Sequence, residues 1–406
     1  MPRAGQVKPP VQERLSDRIA IGVLTATFPP ELVDRVVNEA GRRERRHRLL
    51  PARVVVYLVL ALALFSGQAY EEVARLLTEG LAWARRWRGA WQVPTTKAIT
   101  RARQRLGPGP LQALFAEVAG PLAVEGTLGA WYRGLRVLAI DATTLDVPDT
   151  PANEQAFGRP TTRRGERTAF PQVRVVALAE CGTHAIIAAV LGPLATGETT
   201  LAAGLFGRLG VGVLLLADRG FIGFDLWRAA AATGAELMWR TKTNAVLPVD
   251  RQLGDGSYLS RIYAARDQRA KRDPIVVRVV EYTLGKDPGR PGQPGGAPYR
   301  LLTTILDPAQ APAAELAALY HQRWEIETAL DELKVHQRGP KQVLRSKSPE
   351  LVAQEVWGML LVHHAIRVLM HQAALQAQVD PDRLSFVRSL RVVRRQTASG
   401  RAALSP

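Results

Sequence analysis

Between residues 135 and 217 the chain passes through four short runs rich in Val, Ile, Leu and Ala: Leu135 to Ile140, Val173 to Leu178, Ala185 to Leu191 and Val213 to Ala217. Turn residues separate them, and one helix-like stretch, Thr199 to Leu209, precedes the fourth. Apolar runs this short, bounded by turn signals, fit buried strands rather than helices. Three sequential strands, a helix and a fourth strand predict a mixed sheet covered by helices, an α/β arrangement.

On either side the pattern is helical. Residues 15 to 125 hold the apolar run Val54 to Phe65, a continuation at Glu71 to Leu77, and Thr95-Thr96 as candidate caps before Lys97 to Leu106. Gly107-Pro108-Gly109-Pro110 stops that last helix. Beyond residue 236 come further β-like runs, Ile275 to Tyr282 and Tyr299 to Leu306, split by a Pro/Gly stretch at Lys286 to Pro298 that predicts a loop. Helix returns at Ala313 to Lys334 and at Pro349 to Met370. The expected units are a helical N-terminal domain (1–125), a first core segment (126–235), a β-rich insertion (236–317), a second core segment (318–372) and a basic C-terminal tail (373–406). That tail carries Arg383, Arg388, Arg391, Arg394, Arg395 and Arg401, and is expected either to touch DNA or to be disordered.

The formal net charge of +17 suits a chain whose normal partner is a polyanion, nucleic acid first among them. Arginines cluster in the helical N-terminal part, at Arg42, Arg43, Arg45, Arg46 and Arg48 beside His47, and again at Arg101, Arg103 and Arg105. These arginines, Arg103 included and Arg101 and Arg105 foremost, are candidates for DNA phosphate contacts, with a solvated helix face as the alternative for each. The single cysteine, Cys181, excludes an intramolecular disulfide and a multi-Cys zinc site, which fits a cytoplasmic chain. The opening residues lack the apolar core of a signal peptide, and no run approaches the roughly 18 apolar residues of a membrane span, so no membrane partner is expected.

Three carboxylates stand out by position. Asp141 follows the run LRVLAI and Asp218 follows VGVLLLA, so each is expected where a strand meets its loop. Two carboxylates at adjacent strand ends repel, and a divalent cation with oxygen ligands relieves that repulsion. The third comes from the segment YHQRWEIETALDELK. Drawn as one continuous α-helix with Tyr320 at zero, Arg323 falls at about 300°, Glu327 at about 340° and Lys334 at about 320°, a single polar stripe. Glu325, at about 140°, points away, whereas Asp331, near 20°, is not separated from the stripe by this geometry. A surface row of ion pairs is the alternative for such a stripe. His363 and His364 diverge by about 100° on a helix, so a packed pair fits them better than a shared metal.

At this helix the sequence resembles the bacterial DDE-type transposases of the Insertion Sequence Four family. Their signature of Tyr, two residues, Arg, three residues, Glu, six residues and Lys is reproduced by Tyr320, Arg323, Glu327 and Lys334. The resemblance runs from roughly residue 15 to 370. It includes IDATTLDVPDTPAN around Asp141, FG at Phe157-Gly158, PQVRVVAL from Pro171, LLLADRGF around Asp218, LMWR, DGSYL at Asp255 and YRLLTTILD. Ala142 is a mild departure, since many members carry a smaller or polar residue after the first aspartate.

The resemblance implies an RNase H-like catalytic core, interrupted by a β-rich insertion and preceded by a helical DNA-binding domain. It implies Asp141, Asp218 and Glu327 as a triad holding two divalent ions, Mg²⁺ or Mn²⁺, with Tyr320, Arg323 and Lys334 on DNA phosphates. The implied activity is cleavage at element ends and strand transfer through a hairpin, by a homodimer on terminal inverted repeats and target DNA. Trp239, Tyr299 and Trp324 are candidates to hold a flipped base, with core packing as the alternative for each.

Overall fold

The computed structural model describes residues 22–44, 48–82, 93–161, 165–265, 267, 271–283, 299–339 and 343–398. Arg45, Arg46, His47, Arg401 and the Pro/Gly stretch 286–298 lie outside the described residues.

Among the described residues a 3₁₀ turn (Gly22–Ala26) comes first, followed by the helices α1 (Pro30–Glu39), α2 (Ala52–Leu64), α3 (Tyr70–Ala82), α4 (Thr96–Leu106) and α5 (Gly109–Val118). Thr95 caps α4 by accepting a hydrogen bond from the Ala98 amide, as its place before the helix predicts. From Val54 on, helix α2 is buried all round, as its apolar run Val54–Leu64 requires, and Arg53 at its start pairs with Asp34 of α1.

Then come β1 (Trp131–Tyr132), β2 (Leu135–Asp146), α6 (Pro151–Phe157), β3 (Gln172–Glu180), β4 (Ile186–Pro193), α7 (Glu198–Ala203), β5 (Val213–Ala217), α8 (Phe224–Ala231) and β6 (Glu236–Arg240). They are followed by β7 (Arg251–Gln252), β8 (Tyr258–Ile262), β9 (Ile275–Tyr282) and β10 (Tyr299–Thr303). The strands form one sheet in the order β4-β3-β2-β5-β6-β10-β9-β8-β7, with β1 on β2. β2, β3 and β4 pair antiparallel, while β5 runs parallel to both β2 and β6. This is an RNase H-like core.

Strand β6 pairs in parallel register with β5, so it is a core strand rather than the start of the insertion placed at 236. β10 pairs antiparallel with β6, so the insertion strands β7 to β10 continue the core sheet.

The sheet buries both faces, and side chains alternate between them with period two. Val137, Ala139, Leu214 and Leu216 share one core with the N-terminal helices, whereas Leu138, Ile140, Leu215 and Ala217 face α7 and α8.

The C-terminal part is α9 (Ala313–Tyr320), a 3₁₀ turn (His321–Arg323), α10 (Trp324–Asp331), a π turn (Glu332–His336), α11 (Pro349–Ala377) and α12 (Phe386–Ala398). The region expected as a basic tail is instead a folded element. Phe386, Leu390 and Val393 of α12 are buried in the main core, and Arg394 donates to the carbonyls of Leu64 and Gln337. The arginine-rich sequence hides an apolar seam at helical spacing.

Arg103 is also corrected. It is 2% exposed and donates to Gln354, the Tyr70 hydroxyl, the Ser346 hydroxyl and the Leu351 carbonyl, so it bolts α4 to α11 and is not a phosphate contact. Arg101 and Arg105 are exposed. Arg103→Ala should destabilise by about 3 kcal/mol, because it strands several buried acceptors. Arg101→Ala should change stability by less than about 0.5 kcal/mol, both values read from urea unfolding.

Candidate active site

Strand parity sets the direction of the two aspartates. Asp141 continues the Val137, Ala139 series and Asp218 the Leu214, Leu216 series, so both point to the sheet face on which α10 packs. Register brings them together, since Ile140 pairs with Ala217 and each aspartate is the next residue. Asp141 is mid-strand rather than at the end of β2: its β3 partner is Ala177, and pairing on that side runs on to Asp146. β5 stops at Ala217, so beyond Ile140 strand β2 has no partner on that edge, and the site opens there.

The signature segment is not one continuous helix. The 3₁₀ turn and the π turn break the even spacing on which the predicted stripe depends. Tyr320 is 2% exposed, and its hydroxyl donates to the Ala217 carbonyl over 3.1 Å. It pins the end of β5 beside Asp218 and is not open to a phosphate.

Arg323 lies at the centre of the site. It is 3.8 Å from Asp141 Oδ2 and donates to Glu327 Oε1 over 2.8 Å. Its Nε and Nη1 are buried without a hydrogen-bond partner. Lys334 is exposed on the π turn. Glu325 points away, as expected, and accepts a hydrogen bond from the Gly182 amide.

Burial pushes the Asp141 carboxyl up to about 6. The Ala142 amide and Arg323 pull against that, and repulsion from Glu327 and Asp218 adds to it. One oxygen of Asp218, Oδ1, is buried and accepts no hydrogen bond. Crowded carboxylates, one with an unsatisfied buried oxygen, are an all-oxygen donor set that fits a hard divalent cation.

Arg240 is a residue that the sequence reading passed over. It ends β6 beside the end of β5, 3.9 Å from Asp218 Oδ1, with its guanidinium 4.0 Å from the Tyr299 ring centre. The strand-end rule that selected Asp218 would have selected it too, had β6 been read as the core neighbour of β5. Tyr299 stacks on Tyr282 at 5.3 Å. Trp324 is half exposed, with Arg323 over its ring, whereas Trp239 is buried edge-on against Trp227 and belongs to the core.

His184, Glu325 and Asp382 form another compact group, with His184 Nε2 3.0 Å from Asp382 Oδ1 and 3.6 Å from Glu325 Oε2. Arg367 Nη2 lies 2.8 Å from His184 Nδ1, and arginine can only donate. Nδ1 therefore accepts, the proton sits on Nε2, and Nε2 is closed to a metal. His363 and His364 are both buried and diverge, one to Glu332 and the other to the Ile186 carbonyl.

Residues 18–116 match the family described as "Insertion element 4 transposase N-terminal", and residues 132–364 match "Transposase DDE domain". Transposase InsG for insertion sequence element IS4, from Escherichia coli (strain K12), is 31% identical over 373 residues, covering 90% of this chain and 80% of the relative. Putative transposase InsZ of the same strain is 27% identical over 215 residues, covering 52% of this chain and 68% of the relative. A solved piggyBac transposase synaptic complex with hairpin DNA aligns over 97% of this chain and 84% of its own, with a TM-score of 0.49 and 11% identity. DDE transposases use divalent metal ions. With its N-terminal unit and its acidic core both matched, the chain belongs to the insertion element 4 family of DDE transposases.

Proposed function

We propose that the chain cuts DNA at the ends of its own element and joins the freed ends to target DNA, with Asp141, Asp218 and Glu327 as the metal-binding triad. The observation that carries this reading is the convergence of Asp141 and Asp218 on one sheet face beneath the helix that carries Glu327. When bound, two Mg²⁺ ions, or Mn²⁺ in their place, supply activation of a water or 3′ hydroxyl and stabilisation of the leaving oxygen. Asp141, Asp218 and Glu327 would hold these ions through their carboxylate oxygens.

In the first step a water oxygen bonds to phosphorus and the bond to the 3′ oxygen breaks, leaving a 3′ hydroxyl. That hydroxyl then attacks a phosphorus of the opposite strand and displaces that strand's 3′ oxygen to close a hairpin, which water reopens, freeing the 3′ hydroxyl again before joining. Arg323, Arg240 and exposed Lys334 hold the phosphates, the arginines as planar forks and the lysine as a point charge. Trp324, half exposed and next to Arg323, has ring surface open to an unpaired base. Trp324→Ala should slow hairpin closure about tenfold or more while changing the first nick little, as followed on denaturing gels.

Arg101 and Arg105 contribute to end binding through the helical N-terminal domain, and pairing of two ends makes the working complex a dimer. Among the described residues no helix is long and apolar enough to cross a membrane.

The test is cleavage and joining of labelled duplexes that carry the element's ends, in Mg²⁺ and in EDTA. Metal-dependent nicking that exposes a 3′ hydroxyl, followed by joining, is the expected result. Binding of the ends without cleavage in Mg²⁺ or Mn²⁺ would sink the catalytic reading.

A further inference from the structure

The helix that carries Glu327 changes its winding at Glu332. Helix α10 ends at Asp331, and across the π turn the Gln337 amide donates to the Glu332 carbonyl, five residues back, over 2.8 Å. Turns of this kind are rare and concentrate at functional sites. Here the cause is visible in the side chains.

Glu332 is 4% exposed, yet it is charged and fully engaged. Its Oε2 accepts from His363 Nε2 and Arg367 Nε, both at 3.0 Å, and its Oε1 accepts from Arg367 Nη2. Burial by itself would raise this carboxyl, but the His363 hydrogen bond and the Arg367 charge together pull it down to about 2. Both partners stand on α11, and Arg367 also reaches His184.

The far end of the π turn is tied as well. Gln337 donates to the Met359 carbonyl of α11, and its own carbonyl accepts from Ser66 and Arg394. Leu333 is fully buried and Lys334 is exposed, so the widened turn separates a buried carboxylate from an exposed ammonium two residues on.

We propose that Glu332 is a positioning residue: its carboxylate, locked between His363 and Arg367, holds the π turn that fixes where Glu327 stands beside Asp141 and which way Lys334 faces. For stability alone an ion pair this deep is no better than apolar residues of the same size. What it adds is direction, because a carboxylate held by three hydrogen bonds cannot slide along α11 as a Leu can. The inference rests on the reading of Glu327 as a metal ligand.

The test uses the full chain bound to end DNA, with Mn²⁺ as the probe. Ion binding is read from the loss of the free-ion paramagnetic resonance signal, folding from thermal melts, and DNA binding from mobility shifts in EDTA. Glu332→Gln should raise the Mn²⁺ half-saturation concentration about tenfold, the scale seen when support behind a metal ligand is removed. Glu332→Asp, which keeps the charge but draws the carboxylate back one methylene, should raise it in the same direction. End binding should persist in both variants.

The paired exchange Glu332→Gln with Arg367→Met leaves no buried charge without a partner. Positioning is supported if the pair melts like wild type and still binds Mn²⁺ weakly. It is overturned if the pair recovers melting and Mn²⁺ binding together, or if both single variants bind Mn²⁺ as wild type does. Glu327→Gln is the control for the underlying reading. If Glu327→Gln binds Mn²⁺ normally, the triad is wrong; if only it weakens binding, the triad stands and the role of Glu332 fails.

Discussion

Glu327→Gln should lower end cleavage on the order of a thousandfold, about 4 kcal/mol of transition-state stabilisation, while end binding in EDTA persists. The carboxylate lies on the first turn of α10 and accepts a hydrogen bond from Arg323 over 2.8 Å. Gln keeps the shape and can still accept that hydrogen bond, so the helix should stay folded. What disappears is the negative charge that a cation requires. Rates are to be measured in single turnover on pre-bound ends, so that product release does not mask the step. A rate within tenfold of wild type would remove Glu327 from the triad.

Asp141→Asn should make the metal-free protein more stable, by about 2 kcal/mol at pH 8, and should at the same time abolish cleavage. The carboxyl has an ordinary value of 3.8 and is pushed up to about 6 in the fold, first by burial and then by Glu327 and Asp218. Between those pH values the folded chain holds a proton that the unfolded chain has released, so stability falls as pH rises through this window and stays lowered above it. Two pKa units correspond to about 3 kcal/mol, reduced here because the side chain is 23% exposed. Asn removes that cost.

Addition of Mg²⁺ should reverse the order, since only the wild-type carboxylate gains a counter-ion. Ion and proton compete for Asp141, so metal binding should weaken as pH falls below about 6. Thermal melts at pH 5 and pH 8, in EDTA and in Mg²⁺, read all of this. An Asn variant that melts below wild type in EDTA at pH 8 would show that Asp141 carries no such strain.

Much of the core was legible because it depends on local pattern. Short apolar runs followed by Asp mark β2 and β5, and the order of strands and helix limits how they can pair. The breaks in the signature helix were not legible, because their causes lie far along the chain. Tyr320 is fixed by Ala217, and Glu332 by His363 and Arg367, and no helical wheel contains those partners. The extension of β2 past Asp141 depends on β3, whose Ala177 and Val176 stand opposite Asp141 and Ala142. Helix α12 did leave a trace: Phe386, Leu390 and Val393 recur at helical intervals, but the arginines between them suggested a solvated tail. Arg103 shows the converse, a basic residue in an arginine-rich run whose burial follows from α11 more than 240 positions later.

Helix α12 sets an order of assembly. It packs against α3 and against the segment Gly22–Ala26, and Arg394 ties it to the last turn of α2 and to the end of the π turn. The earliest and latest described parts of the polypeptide thus complete one another. A ribosome that has translated all of the N-terminal helices has not yet delivered the residues that cover Leu24 and Phe28, which share a core with Phe386. A nascent chain that stops short of Phe386 is left with bare apolar surface on the very unit that should grip DNA. Prematurely terminated products are therefore destined for aggregation or proteolysis rather than for occupancy of the element's ends.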